Sequence, residues 1–88
     1  MADIQLSPKA QKLLKHFQDK QLRQRDFEYP ATQQAVFGNP EDCEAAQTEL
    51  AKVGILELMP VAPHAGSRVV GAALTLDGIR YLAKNPLA

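Results

Sequence analysis

The candidates for a nucleophile or a soft metal ligand in this chain are one cysteine, Cys43, and two histidines, His16 and His64. A reactive thiolate needs positive neighbours that lower its pKa, but Asp42 and Glu44 flank Cys43. The histidines lie far apart in the sequence, and a metal site needs three or four ligands. The five glycines are scattered, so they form no phosphate-binding loop. The sequence therefore predicts a non-enzymatic protein that holds no metal or cofactor.

The length and composition favour one small domain that spans residues 1–88. The hydrophobic fraction, 45%, is ordinary for a folded protein. One cysteine cannot form an internal disulfide, and the N-terminus does not resemble a signal peptide. The longest uncharged apolar run, residues 69–76, is too short to cross a bilayer. We expect a cytoplasmic protein with no membrane partner.

Charge is distributed unevenly along the chain, although the formal net charge is zero. Residues 1–25 carry +4, residues 26–60 carry −6 and residues 61–88 carry +2. A neutral total gives no general attraction to a polyanion, so nucleic-acid binding would depend on a local patch. Solvated helix faces are the alternative explanation for each charged run.

The first half of the chain has two helix start signals. Ser7-Pro8 supplies a hydroxyl N-cap and a proline at the first helical position, which predicts a helix over residues 8–21. Asn39-Pro40 repeats the signal and predicts a helix over 40–53, which Gly54 ends. The expected buried positions are Ala10, Leu13, Leu14, Phe17 and Gln21 in the first helix, with Lys9, Lys12, His16, Lys20 and Arg23 on its opposite side. In the helix over 40–53 they are Cys43, Ala46, Leu50 and Val53, and its expected exposed side is Glu41, Ala45, Thr48 and Lys52.

The segment between these helices alternates charged and aromatic residues over 26–29, which predicts a short half-buried strand that Pro30 ends. Phe27 and Tyr29 share one side of it and are expected to pack against the first helix. A brief helix over 31–37 follows, with Gly38 as its stop.

The last third of the chain predicts a hairpin and a closing helix. Residues 55–61 and 68–74 are rich in branched side chains, and Pro63, Gly66 and Ser67 mark the turn between them. Thr75 can cap a final short helix that ends at Asn85-Pro86. Its expected inward residues are Leu76, Ile79 and Leu82.

The stretches ELAKVGILEL and ALTLDGIRYL, together with this order of elements, resemble the winged helix-turn-helix family, in particular its MarR-like and PadR-like regulators. The resemblance covers nearly all of the chain. It implies an α+β domain with three helices, a small antiparallel β-sheet (the wing) and a short C-terminal helix. The long dimerisation helices of those regulators are missing, and basic residues are scarce on the expected recognition helix and wing.

The resemblance implies a DNA-binding transcriptional regulator, in which residues 40–53 enter the major groove of double-stranded DNA and the tip over 62–68 contacts the minor groove or backbone. Glu44 is a further base-reading option, since a carboxylate accepts a hydrogen bond from cytosine. Because a monomer with an acidic recognition helix would bind weakly, we expect a homodimer or a larger complex. The candidate nucleic-acid contacts are Gln47, Thr48 and Lys52 on the helix, His64, Ser67 and Arg68 at the wing, and Lys9 and Lys12 on the first helix.

Two other interpretations stay open, a protein-interaction module and a surface for single-stranded nucleic acid. Glu41, Asp42 and Glu44 crowd the start of the expected recognition helix, where phosphate contacts usually form. A protein-interaction module with an acidic helix beside a basic one fits the same residues. Phe27 and Tyr29, beside two arginines, are the only plausible stacking platform for single-stranded nucleic acid.

Overall fold

The computed structural model describes residues 5–59 and 69–87, and these residues form an α+β arrangement of four helices and a two-stranded antiparallel sheet. The elements are α1 (Pro8–Asp19), α2 (Pro30–Phe37), α3 (Pro40–Lys52), β1 (Leu56–Met59), β2 (Gly71–Leu74) and α4 (Leu76–Lys84).

The start signals of α1 and α3 are confirmed. The Ser7 hydroxyl accepts from the Ala10 N–H at 3.2 Å, and the Asn39 side-chain oxygen accepts from the Asp42 N–H at 2.9 Å. Both bonds satisfy amide donors that have no partner within the helix. α1 ends two residues earlier than predicted, because Gln21 takes a left-handed φ of 54° and lies exposed outside the helix.

The apolar stripes on α1 and α3 are largely confirmed, and the structure corrects their ends. Val53 is 37% exposed because it follows the last helical residue of α3 and no longer lies on the stripe. The packed side of α4 is formed by residues 78, 79, 81 and 82, so Leu76 lies on the other side and is 44% exposed. The core cluster contains Leu6, Ala10, Leu13, Leu14, Phe17, Ala46, Leu50, Ile55, Leu56, Ala72 and Leu74.

The predicted strand over residues 26–29 is wrong. The segment makes two isolated bridges to β2, from Gln24 to Leu74 and from Glu28 to Ala72, and Pro30 begins α2 instead of ending a strand. The predicted alternation is reversed in its second half, since Glu28 is 4% exposed and the next residue, Tyr29, is 65% exposed. Glu28 can be buried because other groups of the protein hold its carboxylate.

The sheet pairs Leu56 with Leu74 and Met59 with Gly71. Within the described residues, the predicted strands over 55–61 and 68–74 are corrected at residues 55, 69 and 70, which lie outside β1 and β2. The intervening residues 60–68, which include the predicted turn, lie outside the described residues. Gly54 precedes β1 with a φ of 82°, a conformation that glycine adopts without steric cost. Its predicted role between helix and strand is confirmed.

Thr75 is the N-cap of α4, as predicted. It also joins α4 to the residue before β1. Its backbone N–H donates to the Ile55 carbonyl at 3.0 Å, and its hydroxyl accepts from the Gly78 N–H at 2.9 Å. Gly78 then lies directly against the Ile55 carbonyl, and a Cβ there would fall well inside contact distance of that oxygen. The close approach of α4 to the core therefore requires glycine at position 78.

We expect Gly78→Ala to lower the free energy of unfolding by about 1–3 kcal/mol, because the added methyl overpacks a backbone contact. Alanine has the higher helix propensity by about 1 kcal/mol, so a net loss isolates the clash. Urea unfolding followed by circular dichroism measures the change. Arg80→Ala, at an exposed position of the same helix, is the matched control, and equal stability of the two variants would contradict the packing account.

Candidate functional site

The exposed face of α3 forms an open groove of about 600 Å³. The four residues predicted to lie on the outer side of this helix are all exposed, so that prediction is confirmed. Thr48 and Lys52 make no side-chain hydrogen bond or ion pair with the described residues. Two of the candidate contact residues therefore remain available to a ligand. The groove is lined by Glu41, Glu44, Ala45, Thr48, Glu49 and Lys52.

Gln47 does not belong to this face, and its prediction as a base contact is wrong. The residue is 1% exposed. Its side-chain amide donates to the Gln33 side-chain oxygen and to the Val70 carbonyl, both at 2.7 Å. A buried amide costs free energy unless its hydrogen-bonding groups are paired. These contacts therefore commit Gln47 to joining α3, α2 and the residue before β2.

Gln33, which was not among the predicted site residues, completes this buried amide pair. Its side-chain N–H groups donate to the Glu28 carbonyl at 2.8 Å and to the Val70 carbonyl at 3.3 Å. The one available signal was a glutamine in the short helical segment, beside a second glutamine and a threonine. A glutamine in a short helix does not identify its hydrogen-bond partners, which here lie 5 and 37 residues away.

We expect Gln47→Leu to lower the free energy of unfolding by about 1–3 kcal/mol, because the buried partners of the amide would lose a hydrogen bond. Thr48→Ala, the adjacent exposed position, should change it by less than about 0.5 kcal/mol. Chemical denaturation of both variants tests the assignment. Equal effects would place Gln47 on the surface instead.

Two acids of α3, Asp42 and Glu49, bind groups at the start of α1. Lys9 pairs with the Asp42 carboxylate at 2.6 Å. The Ser7 hydroxyl donates to Glu49 Oε1 at 2.6 Å, and the Ser7 N–H donates to Glu49 Oε2 at 2.7 Å. Hydrogen bonds from Lys9 and then Asn39 hold the pKa of Asp42 below its usual value. Those from Ser7, first through its side chain and then its backbone, lower the pKa of Glu49.

Of the remaining candidate contacts, two lysines contact other groups of the protein and three residues lie outside the described part of the chain. The Lys12 ammonium lies 5.6 Å from the centre of the Phe37 ring, within cation–π distance. Lys9, as described above, is already paired with Asp42. His64, Ser67 and Arg68 lie outside the described residues, so their prediction stays a prediction. Of the five described candidates, Thr48 and Lys52 share the exposed face of α3, whereas Gln47 is buried and Lys9 and Lys12 contact other groups of the protein.

At the opposite end of α1, two basic side chains contact the buried carboxylate of Glu28. His16 Nε2 is 2.6 Å from Glu28 Oε2, and the Lys20 ammonium is 3.1 Å from the same oxygen. The Tyr29 N–H donates to the other oxygen at 3.2 Å. The predicted placement of His16 on the solvent side of α1 is wrong, because this contact draws it inward. Burial opposes the charged form of Glu28, but the hydrogen bonds from His16, Lys20 and Thr32 outweigh it and keep the pKa of the carboxyl below its usual value.

The lowered pKa of Glu28 predicts a loss of stability in acid. A carboxyl whose folded pKa lies below its unfolded value stabilises the fold above the unfolded pKa of about 4.3, and this stabilisation disappears as pH falls through the folded pKa. We expect Glu28→Gln to lose about 1–3 kcal/mol of the free energy of unfolding at pH 7. The variant should also show a weaker decline from pH 5 to pH 3 than the wild type. Denaturant titrations across that range test this, with Glu57→Gln showing the effect of removing one exposed carboxylate.

Two of the three candidate catalytic groups, Cys43 and His16, lie among the described residues and have structural positions, whereas His64 lies outside them. Cys43 is buried in the core, and burial raises the pKa of its thiol to about 11. Within residues 5–59 and 69–87, no three His, Cys, Asp or Glu side chains are grouped as metal ligands. None of the helices found there has the length and apolar character needed to cross a membrane.

No protein-family model, no curated protein and no solved structure matches the chain. The contacts, burial and charges described above are therefore the basis for assigning a function.

Proposed function

We propose that this protein is a non-enzymatic winged-helix domain that docks on a protein partner through the exposed face of α3. The observation that supports this most is the pairing of charges around the helix. Glu41 and Glu44 make no ion pair with the described residues, whereas the Lys9 ammonium is held by Asp42. A ligand that enters the groove therefore meets Glu41, Glu44 and Glu49, acids for which the described residues supply no paired cation.

The order and pairing of the elements support the winged-helix part of the proposal. Three helices are followed by an antiparallel strand pair and a closing helix, in the order that the resemblance implies. The bridges of Gln24 and Glu28 to β2 lie between α1 and α2, where the resemblance places a short strand. The residues of the two matching stretches, Gly54, Thr75 and Gly78, all contribute to the junctions that the fold needs.

The groove favours a basic protein segment over a nucleic-acid duplex. Phosphates brought to the first turns of α3 would approach Glu41 and Glu44, and each such approach costs Coulomb energy. Lysine or arginine side chains placed there would gain it instead. Ala45 leaves space between the acids, and Lys52 at the far end favours an acidic group on the partner. Opposite charges at the two ends of the groove would set the orientation of the partner.

Double-stranded DNA is the second candidate, and one observation favours it. Thr48 and Lys52 are exposed one helical turn apart on the helix that the winged-helix resemblance assigns to the major groove. A hydroxyl and an ammonium at this spacing can contact bases and phosphate. The neutral chain would need a dimer to bind tightly, so this candidate includes the homodimer.

The protein-docking proposal predicts that a lysine-rich peptide shifts amide resonances on α3. In ¹H–¹⁵N NMR titrations we expect the largest shifts at residues 41–52, because the acids there attract the peptide. The double variant Glu41→Gln/Glu44→Gln should weaken binding at least about fivefold, roughly 1 kcal/mol. Glu57→Gln/Asp77→Asn removes the same charge at exposed positions elsewhere and should keep most of the affinity. Equal weakening in both double variants would overturn the site.

The same variants separate the duplex candidate. If α3 reads DNA, Glu41→Gln/Glu44→Gln should bind a mixed duplex more tightly at low salt, since two repulsive groups are gone, and Lys52→Gln should bind it less tightly. Fluorescence anisotropy measures both. Sedimentation of the free protein reports whether the active species is a dimer. Duplex affinity of the wild type in the micromolar range, together with no peptide-induced shifts on α3, would favour DNA over the protein partner.

A further inference from the structure

The aromatic ring of Tyr29 is exposed to solvent, and hydrogen bonds hold the backbone that carries it. Its carbonyl accepts from the Thr32 hydroxyl at 2.9 Å and from the Gln33 N–H at 3.3 Å, so the backbone is fixed at the start of α2. The edge-to-face contact with Phe27, at 4.9 Å between ring centres, supports the ring from one side. Phe27 in turn lies against Gly71, where a side chain would collide with it. The ring is nevertheless 65% exposed.

The charges on the same segment are arranged so that its solvent side is positive. Arg23 and Arg25 are exposed, and neither guanidinium forms an ion pair with a described residue. Both acids of the segment are already engaged. Asp26 accepts from the Arg23 backbone N–H at 2.8 Å, and the Glu28 carboxylate is buried against His16. The Asp26 carboxylate stays charged and exposed, so an incoming anion meets two arginines and one acid, and the solvent side keeps a net positive charge.

Backbone contacts hold Arg25, and Glu28 just before Tyr29, on one edge of β2. The Arg25 N–H donates to the Leu74 carbonyl at 3.2 Å, and the Glu28 N–H donates to the Ala72 carbonyl at 2.8 Å. These carbonyls are two residues apart on one strand, which is a separation of roughly 7 Å. Tyr29 directly follows Glu28, so the ring and the Arg25 backbone are fixed within a few nucleotide lengths of each other.

We propose that Tyr29, Arg23 and Arg25 form a binding surface for single-stranded nucleic acid. Any base can stack on the open face of the ring, while the guanidiniums contact the neighbouring phosphates. A duplex offers no unstacked base to the ring. An acidic peptide would use the arginines but would leave the ring without a flat partner. The surface lies on the 23–29 segment and does not depend on docking at α3.

The backbone at Arg25 adds an independent reason to assign this side chain a use. Its φ is 68°, in the left-handed region that glycine adopts at lower cost. Arg25→Gly therefore removes the guanidinium while relieving the backbone. This variant can lose binding without losing stability, which separates a ligand contact from a structural role.

The test is fluorescence anisotropy with a short fluorescein-labelled oligothymidylate at low salt, with protein concentrations up to roughly 100 µM. We expect Tyr29→Ala to bind about tenfold more weakly or worse, and Tyr29→Phe to bind like the wild type. Arg25→Gly should weaken binding while unfolding at the same or a higher urea concentration. Two phosphate contacts predict a slope of about −1.4 in log K against log salt, and Arg23→Gln/Arg25→Gln should abolish most of it.

Arg80→Gln/Lys84→Gln, which removes two exposed cations of α4, is the control and should leave oligothymidylate binding unchanged. Displacement of the oligonucleotide by polyglutamate at equal charge concentration would assign the surface to acidic polypeptides and overturn the proposal. Wild-type binding that survives Tyr29→Ala unchanged, or no binding at the highest concentration, would also overturn it. Circular dichroism of each variant confirms that it is folded before binding is interpreted.

Discussion

The buried carboxylate of Glu28 is the interaction on which the arrangement of the N-terminal half depends. Its side chain joins α1 through His16 and Lys20, and its backbone pairs with Ala72 of β2 in both directions. Its carbonyl also accepts from Gln33 of α2. A buried charge is tolerated because these donors replace the water that it loses. One residue thus fixes the relative positions of two helices and the sheet.

The polar links between α1 and α3 change the meaning of the charge pattern. Asp42 looks like part of an acidic surface, but it forms an ion pair with Lys9 of α1. Glu49 accepts hydrogen bonds from Ser7, which is neutral, so it keeps its negative charge. The acidity that a ligand meets on α3 therefore comes from Glu41, Glu44 and Glu49. Because Asp42 is paired, the repulsion between α3 and the phosphates of DNA is weaker than the composition suggests. The remaining acids still repel phosphate.

The parts of the fold that could be predicted from the sequence are those set by near neighbours. The caps at Ser7, Asn39 and Thr75 involve residues three positions apart, so the local pattern was sufficient. The burial of Gln47 was not predictable in this way, because its partners Gln33 and Val70 are 14 and 23 residues away. Alternation over residues 26–29 was visible, but its phase depended on a histidine 12 residues earlier. Of the candidate surface, Thr48 and Lys52 followed from helical periodicity alone.

The pairing of Gln33 with Gln47 has a consequence for how this chain can change over generations. Each amide supplies what the other lacks, so replacing either one alone leaves a hydrogen-bonding group of its partner without water or protein to satisfy it. Replacing both with apolar residues of similar size removes the bond between them, but the Val70 carbonyl then loses the donors that both amides supply. A change at one of the two positions is therefore tied to the residue at the other and to the backbone of Val70. Descendants of this chain are expected to keep this group of contacts together or to replace it as a whole.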